Sequence, residues 1–238
     1  MIIGNGMMAK AFSHYEKNDA IVVYAKGVSN SQEKNILNFK RESSILASAL
    51  QAHKDKIFIY FSTCSIYDSD EANSPYVLHK QKMENMVQDN NKNYYILRLP
   101  QVVGETSSPT LINFLSNKII NNESFDIWKK SYRNIIDADD VFRITDYLIS
   151  NNILMNSVIN IASSKSYNIV DLVHKIETLL DTKGTYKIID KGSSYLIDIS
   201  IVEKYFGHLS IVFDDTYINN LLEKYIGCKK RNAGRKNL

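Results

Sequence analysis

Short apolar runs alternate with amphipathic stretches through the first hundred residues. Met1-Ile2-Ile3 reads as a buried strand closed by Gly4-Asn5-Gly6, and Met7 to Tyr15 as a helix with Met7, Met8, Ala11 and Phe12 inward. Ala20 to Ala25 is a second strand, apolar apart from Tyr24. Ser31 to Ala52 is predicted helical, with Ile36, Leu37, Ile45, Leu46, Ala49 and Leu50 as its apolar side. Ile57 to Phe61 and Tyr94 to Leu97 are further strands, and Tyr76 to Asp89 is a helix between them. Buried strands alternating with amphipathic helices predict an α/β fold, a parallel sheet covered on both faces.

After Arg98 the pattern loosens. Thr110 to Ile120 and Asp139 to Ile149 read as helices and Val158 to Ile161 as a strand. Asn168 is placed to cap a helix through Leu180, whose stripe is Ile169, Leu172, Val173, Ile176 and Leu179. Short helices are expected near Ser200 to Phe206 and Asp214 to Ile226. The expected organisation is a cofactor-binding core over 1–105, core elements mixed with a small substrate lobe over 106–228, and a disordered basic tail over 229–238.

The 238 residues fit one large α/β domain with a lobe, and 44% apolar content is enough for a full core. No run of eighteen apolar residues occurs, and the chain opens on a strand rather than a signal peptide, so membrane insertion is not expected. Cys64 and Cys228 make neither a zinc spacing nor a disulfide framework, so no metal site and a reduced, cytoplasmic setting are expected. The net charge of +3 comes from Lys229, Lys230, Arg231, Arg235 and Lys236. With those five set aside from 29, the remaining chain has 24 basic against 26 acidic residues. A nucleic-acid-binding body is therefore not indicated, and the tail reads first as a solvated terminus.

Chemistry concentrates at two points. Tyr76 and Lys80 lie four residues apart on a predicted helix and so share a face. An ammonium there favours the phenolate and brings a tyrosine toward proton transfer. Ser62-Thr63 ends the strand before that helix and supplies hydroxyls to hold a substrate oxygen. At the other point, Gly4-Asn5-Gly6 follows the opening strand. A strand, a Gly-x-Gly turn and a helix direct backbone N–H groups at an anion and let a pyrophosphate approach closely, with Ala9 as the third small residue.

Six segments in this order resemble the extended short-chain dehydrogenase/reductases, in their nucleotide-sugar epimerase/dehydratase branch. They are Gly4 to Ala9, Ala25 to Ser29, Ser62 to Tyr67, Tyr76 to Lys80, Arg98 to Gly104 and Arg133 to Val141. The resemblance implies a doubly wound, Rossmann-like parallel sheet with a C-terminal substrate lobe. It implies Tyr76 as general acid/base, Lys80 lowering its pKa and holding the nicotinamide ribose, and Thr63 bonding the reacting oxygen. Cofactor contacts are implied at Gly4, Asn5, Gly6, Met7, Met8, Ala25, Lys26, Ser62, Lys80 and Pro100. Substrate contacts are implied at Ser65, Gln101, which replaces the family's usual Asn, and Arg133, set against an ion pair with Asp137 or Asp139. A nucleotide-sugar substrate and a homodimer through the Tyr-Lys helix and its neighbour are implied as well.

One departure stands out. Only Lys10 to Asn18 separates the Gly turn from the run 19–25, where the family places two more strands. The second and third strands, and with them the usual reader of the adenosine ribose, are therefore expected to be missing, and NAD cannot be told from NADP. In a rival alignment Ala20 to Ala25 is the second strand and Lys26 a 2′-phosphate contact.

The family's dehydratases carry Asp-Glu after the Thr; Cys64-Ser65 stands here, which disfavours dehydration. Cys64 or Ser65 resembles the cysteine of GDP-fucose synthases, or Cys64 is a small core residue. His79 is a proton shuttle or a surface residue, and His174 is inert on a polar helix face. Trp128 stacks on a base or sugar, or is core, and Asp68 to Glu71 lines the site mouth or is a solvated turn. The expected function is NAD(P)-dependent reduction of a nucleotide-linked 4-keto-6-deoxy sugar for surface polysaccharide. Alternatives are a nucleotide-sugar epimerase and a non-catalytic nucleotide-sugar-binding module.

Overall fold

The computed structural model describes residues 1–233, with side chains through Gly227. A five-stranded parallel sheet is built from β1 (Ile2–Ile3), β2 (Ile21–Tyr24), β3 (Ile57–Thr63), β4 (Tyr94–Leu99) and β8 (Ser157–Asn160), in the spatial order β1-β2-β3-β4-β8. Its helices are α1 (Met7–Ala11), α2 (Ile36–Ala52), α3 (Pro75–Asn90) and α5 (Ala138–Ser150). The two-residue period of the strands sorts their side chains into two cores. Val22, Tyr24, Phe58, Tyr60 and Ile96 pack under Leu46 and Leu50 of α2 and Met83 and Val87 of α3. Ile21, Val23, Ile59, Tyr95 and Leu97 pack under Phe12 and Tyr15 after α1 and under Val141, Ile144 and Leu148 of α5.

Among the described residues no strand lies beyond β1, as expected from the short spacing after the Gly turn. The links β1–α1–β2 and β2–α2–β3 step the same way across the sheet but over opposite faces, so they have opposite hands.

The lobe holds β5 (Gln101–Val103), α4 (Leu111–Ile120), β6 (Phe125–Trp128), β7 (Tyr132–Asp137), β9 (Ser166–Asn168), α6 (Ile169–Leu180), β10 (Tyr186–Ile189) and α8 (Tyr217–Ala233), whereas α7 (Ser200–Glu203) packs on the main sheet through Val202. Strand β7 pairs parallel with β5 and antiparallel with β9, while β6 pairs parallel with β10. Ile112, Leu115, Leu172, Ile176, Ile218 and Leu222 join α4, α6 and α8 in a separate core. These strands have only three to six residues, and none of them was expected from the sequence.

Caps explain several boundaries. Helix α2 starts five residues later than expected because Asn35 accepts from the Leu37 N–H. Glu33 then binds the N–H groups of Lys34 and Asn35. Ile36 and Leu37, expected inside, are 61% and 66% exposed, and Phe39 takes the inward position instead. Asn168 caps α6 as expected, accepting from the Val170 N–H. The helix expected over Ser200 to Phe206 is shorter, and a 3-10 turn Gly207–Leu209 follows it. Helix α8 runs to Ala233, into the tail expected to be disordered from 229; 234–238 lie outside the described residues.

Candidate active site

The C-terminal ends of adjacent parallel strands meet along one edge of the sheet, where open α/β sheets bind ligands. Gly4 follows β1, Ala25 to Val28 follow β2, Thr63 ends β3, and Pro100 and Gln101 follow β4. Gly4 has φ +129°, and an added Cβ would run into the Ala25 carbonyl, so glycine is required for β1 to approach β2. At Gly6 an added Cβ would meet nothing within 4 Å, which leaves that face open to a ligand. Asn5, Gly6 and Lys26 are exposed, and Met7 and Met8 are half-buried, Met7 against Gly104.

Helix α3 delivers the central pair. Ser74 caps it by accepting from the Val77 N–H, and Pro75 sits in the first turn. This seating places Tyr76 and Lys80 on its buried side. Thr63 hydrogen-bonds the Tyr76 phenol, and its hydroxyl lies 3.0 Å from Ser65 Oγ. Thr63 and Tyr76, two of the expected set Thr63, Tyr76 and Lys80, thus lie together with Ser65, which was expected to contact substrate.

The electrostatics differ from expectation. Burial pushes the Tyr76 phenol up to about 12, the Thr63 hydrogen bond opposes this, and the Glu42 charge adds to it. The Lys80 ammonium, expected to lower it, is engaged by other partners. Its Nζ donates to Glu42 Oε1 (3.3 Å), the Tyr60 hydroxyl (3.1 Å) and the Phe61 carbonyl (3.3 Å). Burial holds Lys80 below its ordinary value, partly offset by Glu42.

Glu42 is the centre of this knot. It also accepts from the Val28 N–H (2.6 Å), the Tyr60 hydroxyl (2.9 Å) and His79 Nε2 (3.0 Å). Burial alone would raise its carboxyl, but His79, Lys80, Val28 and Tyr60 together bring it down to about 2. His79 is therefore not a surface residue; it is buried, with its ring stacked 4.6 Å from Phe39.

Other expected residues are redirected. The strand period turns the Ser62 hydroxyl, expected at the cofactor, into the α3 layer, where it donates to Glu84. Glu84 also holds Arg98 in a two-point bridge of 2.9 and 2.7 Å. Cys64 is fully buried, its thiol donating to the Arg98 carbonyl at 3.3 Å, and burial pushes its pKa well up. A core residue, not an ionised epimerising cysteine, fits that setting.

On the substrate side, Arg133 donates to the carbonyls of Tyr132 (2.8 Å) and Ser193 (3.1 Å), and its ion-pair partner is Asp68 at 3.8 Å. Asp137 and Asp139, its expected partners, bind Lys224 at 2.8 and 2.7 Å instead. Asp68 is buried rather than solvated and accepts from Ser193 Oγ at 2.9 Å. Tyr195, near Arg133, Asp68 and Cys64, is pushed up to about 12 by burial, with Arg133 opposing. Pro100, Gln101 and Ser65 are half-buried along the same edge, and Trp128 is 47% exposed on β6, away from any core.

Glu42, Tyr60, Ser193 and Tyr195 were not anticipated. For Glu42 a signal existed, since it sits in the stripe Phe39, Leu46, Ala49 and Leu50 at helical spacing. A lone carboxylate on an apolar stripe needs a buried partner. Nothing local flagged the loop carrying Ser193 and Tyr195, which folds back from far along the chain. Among the described residues no cluster fit to hold a metal ion occurs, and no helix is long and apolar enough to cross a membrane.

A parallel sheet with helices on both faces, a glycine turn after its first strand and a Thr-Tyr-Lys set at its C-terminal edge define a Rossmann-like α/β protein. Residues 4–162 match the model of the NAD dependent epimerase/dehydratase family, and the chain belongs to that family. Its members are NAD-dependent sugar-nucleotide enzymes. Among solved structures, it is similar to UDP-glucuronic acid 4-epimerase from Bacillus cereus in complex with UDP-glucuronic acid and NAD. The two share 18% identity over 93% of this chain and 78% of that one, with a TM-score of 0.70. A dTDP-4-dehydrorhamnose reductase from Clostridium acetobutylicum gives 16% identity, 92% and 85% coverage and a TM-score of 0.65. A dTDP-glucose 4,6-dehydratase from Bacillus anthracis, in complex with NAD, gives 16%, 96% and 80%, and 0.66. No curated protein matches the chain.

The residues present fit a dinucleotide in part. The open face of Gly6 suits a pyrophosphate, while the sheet ends at β1, where the adenosine side would be read.

Proposed function

We propose that this protein reduces a nucleotide-linked 4-keto-6-deoxy sugar with NADH or NADPH, as a cytoplasmic step of surface polysaccharide biosynthesis. The backbone of Asn5, Gly6 and Met7 would hold the pyrophosphate, and Lys80 would reach the nicotinamide ribose by exchanging one of its present partners, Glu42, Tyr60 or the Phe61 carbonyl, for it. When bound, the reduced cofactor supplies a hydride to the carbonyl carbon. Thr63 hydrogen-bonds the carbonyl oxygen, and Tyr76 gives its phenolic proton to that oxygen as the C=O π bond breaks, which leaves an alcohol and a phenolate. Ser65, Gln101 and Arg133 would position the nucleotide sugar, Arg133 after exchanging Asp68 for a phosphate oxygen. A homodimer through α2 and α3 is part of the proposal.

The single observation that carries the reading is the placement of Tyr76, buried on α3 beside Thr63 at the end of β3, a setting in which burial favours the protonated phenol. A ketone reductase needs a tyrosine that starts with its proton. A 4-epimerase must first withdraw one from a hydroxyl, for which a tyrosinate is the better start. The epimerase nonetheless uses the same trio and remains the alternative; a module that only binds nucleotide sugar is a further one, suggested by the sheet ending at β1.

Stoichiometric loss of reduced nicotinamide with a dTDP-, UDP- or GDP-linked 4-keto-6-deoxy sugar tests the proposal. Tyr76→Phe is expected to cut turnover by roughly 10²- to 10⁴-fold while nucleotide-sugar affinity is kept. Interconversion of 4-epimers without net cofactor consumption would establish the epimerase. Ligand binding without turnover, indifferent to Tyr76→Phe, would establish the binding module.

A further inference from the structure

Glu42 is buried, charged and one layer behind the reacting phenol, a costly arrangement on a helix stripe that Phe39, Leu46 and Ala49 otherwise make apolar. A buried ion pair is seldom worth more to the fold than well-packed apolar side chains of the same volume. Stability alone does not account for it.

The geometry ties it to the site. Lys80 lies one turn after Tyr76 on α3, yet its ammonium reaches across to Glu42 and Tyr60 on the neighbouring α2 and β3. Glycine at 27 makes room for this pair, because a Cβ there would stand 2.7 Å from Lys80 Nζ and 2.8 Å from Glu42 Oε1. The Val28 N–H anchors the carboxylate from the other side.

We propose that Glu42 is a positioning residue of this site: its carboxylate takes the Lys80 ammonium as its own partner and so keeps Tyr76 loaded with a proton. The site is thereby set to deliver a proton to a carbonyl oxygen rather than to draw one from a hydroxyl. This inference rests on the reductase reading for its meaning, but not for its test.

The charged and titratable groups around Glu42 are few. From α3 they are His79, Lys80 and Tyr76, with Glu84 acting on Lys80. From β3 comes Tyr60 and from β2 Tyr24, whose hydroxyl donates to the Glu42 carbonyl at 3.3 Å. On α2 itself Arg41 acts on Tyr24. With the Glu42 charge removed, its push on the Tyr76 phenol is lost and the Lys80 ammonium is left without its carboxylate partner; both changes favour the phenolate.

Tyrosinate absorbance against pH, taken as the difference between a protein and its Tyr76→Phe counterpart, isolates Tyr76 from Tyr24 and Tyr60. In the otherwise native protein that transition is expected well above neutral pH. In Glu42→Gln it is expected to fall by about one pH unit or more, and Glu42→Asp should return it toward the native position. The limb of the activity–pH profile that reports loss of the Tyr76 proton should move down by the same interval. A transition near neutrality in the native protein, or an unmoved one in Glu42→Gln, overturns the proposal. The native arm alters neither buried partner, so it decides even where Glu42→Gln does not fold. A shifted transition in a protein that never reduces a keto-sugar would sink the reductase reading and leave the Glu42 role intact.

Discussion

At the residue scale, the carboxyl of Glu42 makes stability depend on acidity in a defined window. Burial would raise it, but its bonds from His79, Lys80, Val28 and Tyr60 hold it at about 2, below the ordinary 4.5. The depressed value means that its contribution is fully present above about 4.5 and lost as pH falls through about 2. Chemical denaturation across that range should show native stability declining steeply, and Glu42→Gln, less stable at neutral pH, declining less. Parallel curves for the two proteins would contradict this account. The same residue marks the limit of what could be read from the chain. Tyr76, Lys80 and Thr63 were legible because the helix period puts the first two on one face and because the order of all three resembles the family's. Where the Lys80 ammonium points was not, since Glu42 lies 38 residues away on another helix.

At the scale of elements, the glycine turn separates folding from binding within three residues. Gly4 is held at φ +129° with no room for a Cβ beside Ala25, whereas Gly6 has an ordinary φ of −80° and open space. Gly4→Ala is therefore expected to cost at least about 2 kcal/mol of stability, read by denaturant titration. Gly6→Ala should leave stability within about 0.5 kcal/mol and weaken dinucleotide binding instead. The central strands β2, β3 and β4 were predictable because they are largely apolar runs buried on both faces. The lobe strands were not, because β5, β6, β7, β9 and β10 are short, partly exposed and defined by partners distant in sequence. Helix starts followed a subtler rule. Asn168 declared itself, while Asn35 was hidden by an apolar pair, Ile36 and Leu37, that faces outward.

At the scale of the whole molecule, the sheet order β1-β2-β3-β4-β8 leaves the dinucleotide edge one-sided. The part of the family's sheet that ordinarily distinguishes a ribose hydroxyl from a 2′-phosphate has no counterpart among the described residues. Lys26 is exposed beyond β2 as a lone positive charge, and such a charge is worth little in water. The affinities for NAD and NADP are accordingly expected to lie within about tenfold of each other, a difference of roughly 1.4 kcal/mol. Thermal shift against concentration of each dinucleotide measures this; a preference of a hundredfold or more would require a reader that the fold does not suggest.

The terminal strand has only Ile2 and Ile3 to pair with Val23 and Tyr24. A rim so narrow presents very few vacant peptide groups to any passing chain, and cross-β growth needs a longer template than that. Shortening the sheet on this flank thus gives up cofactor discrimination without leaving the molecule self-adhesive there.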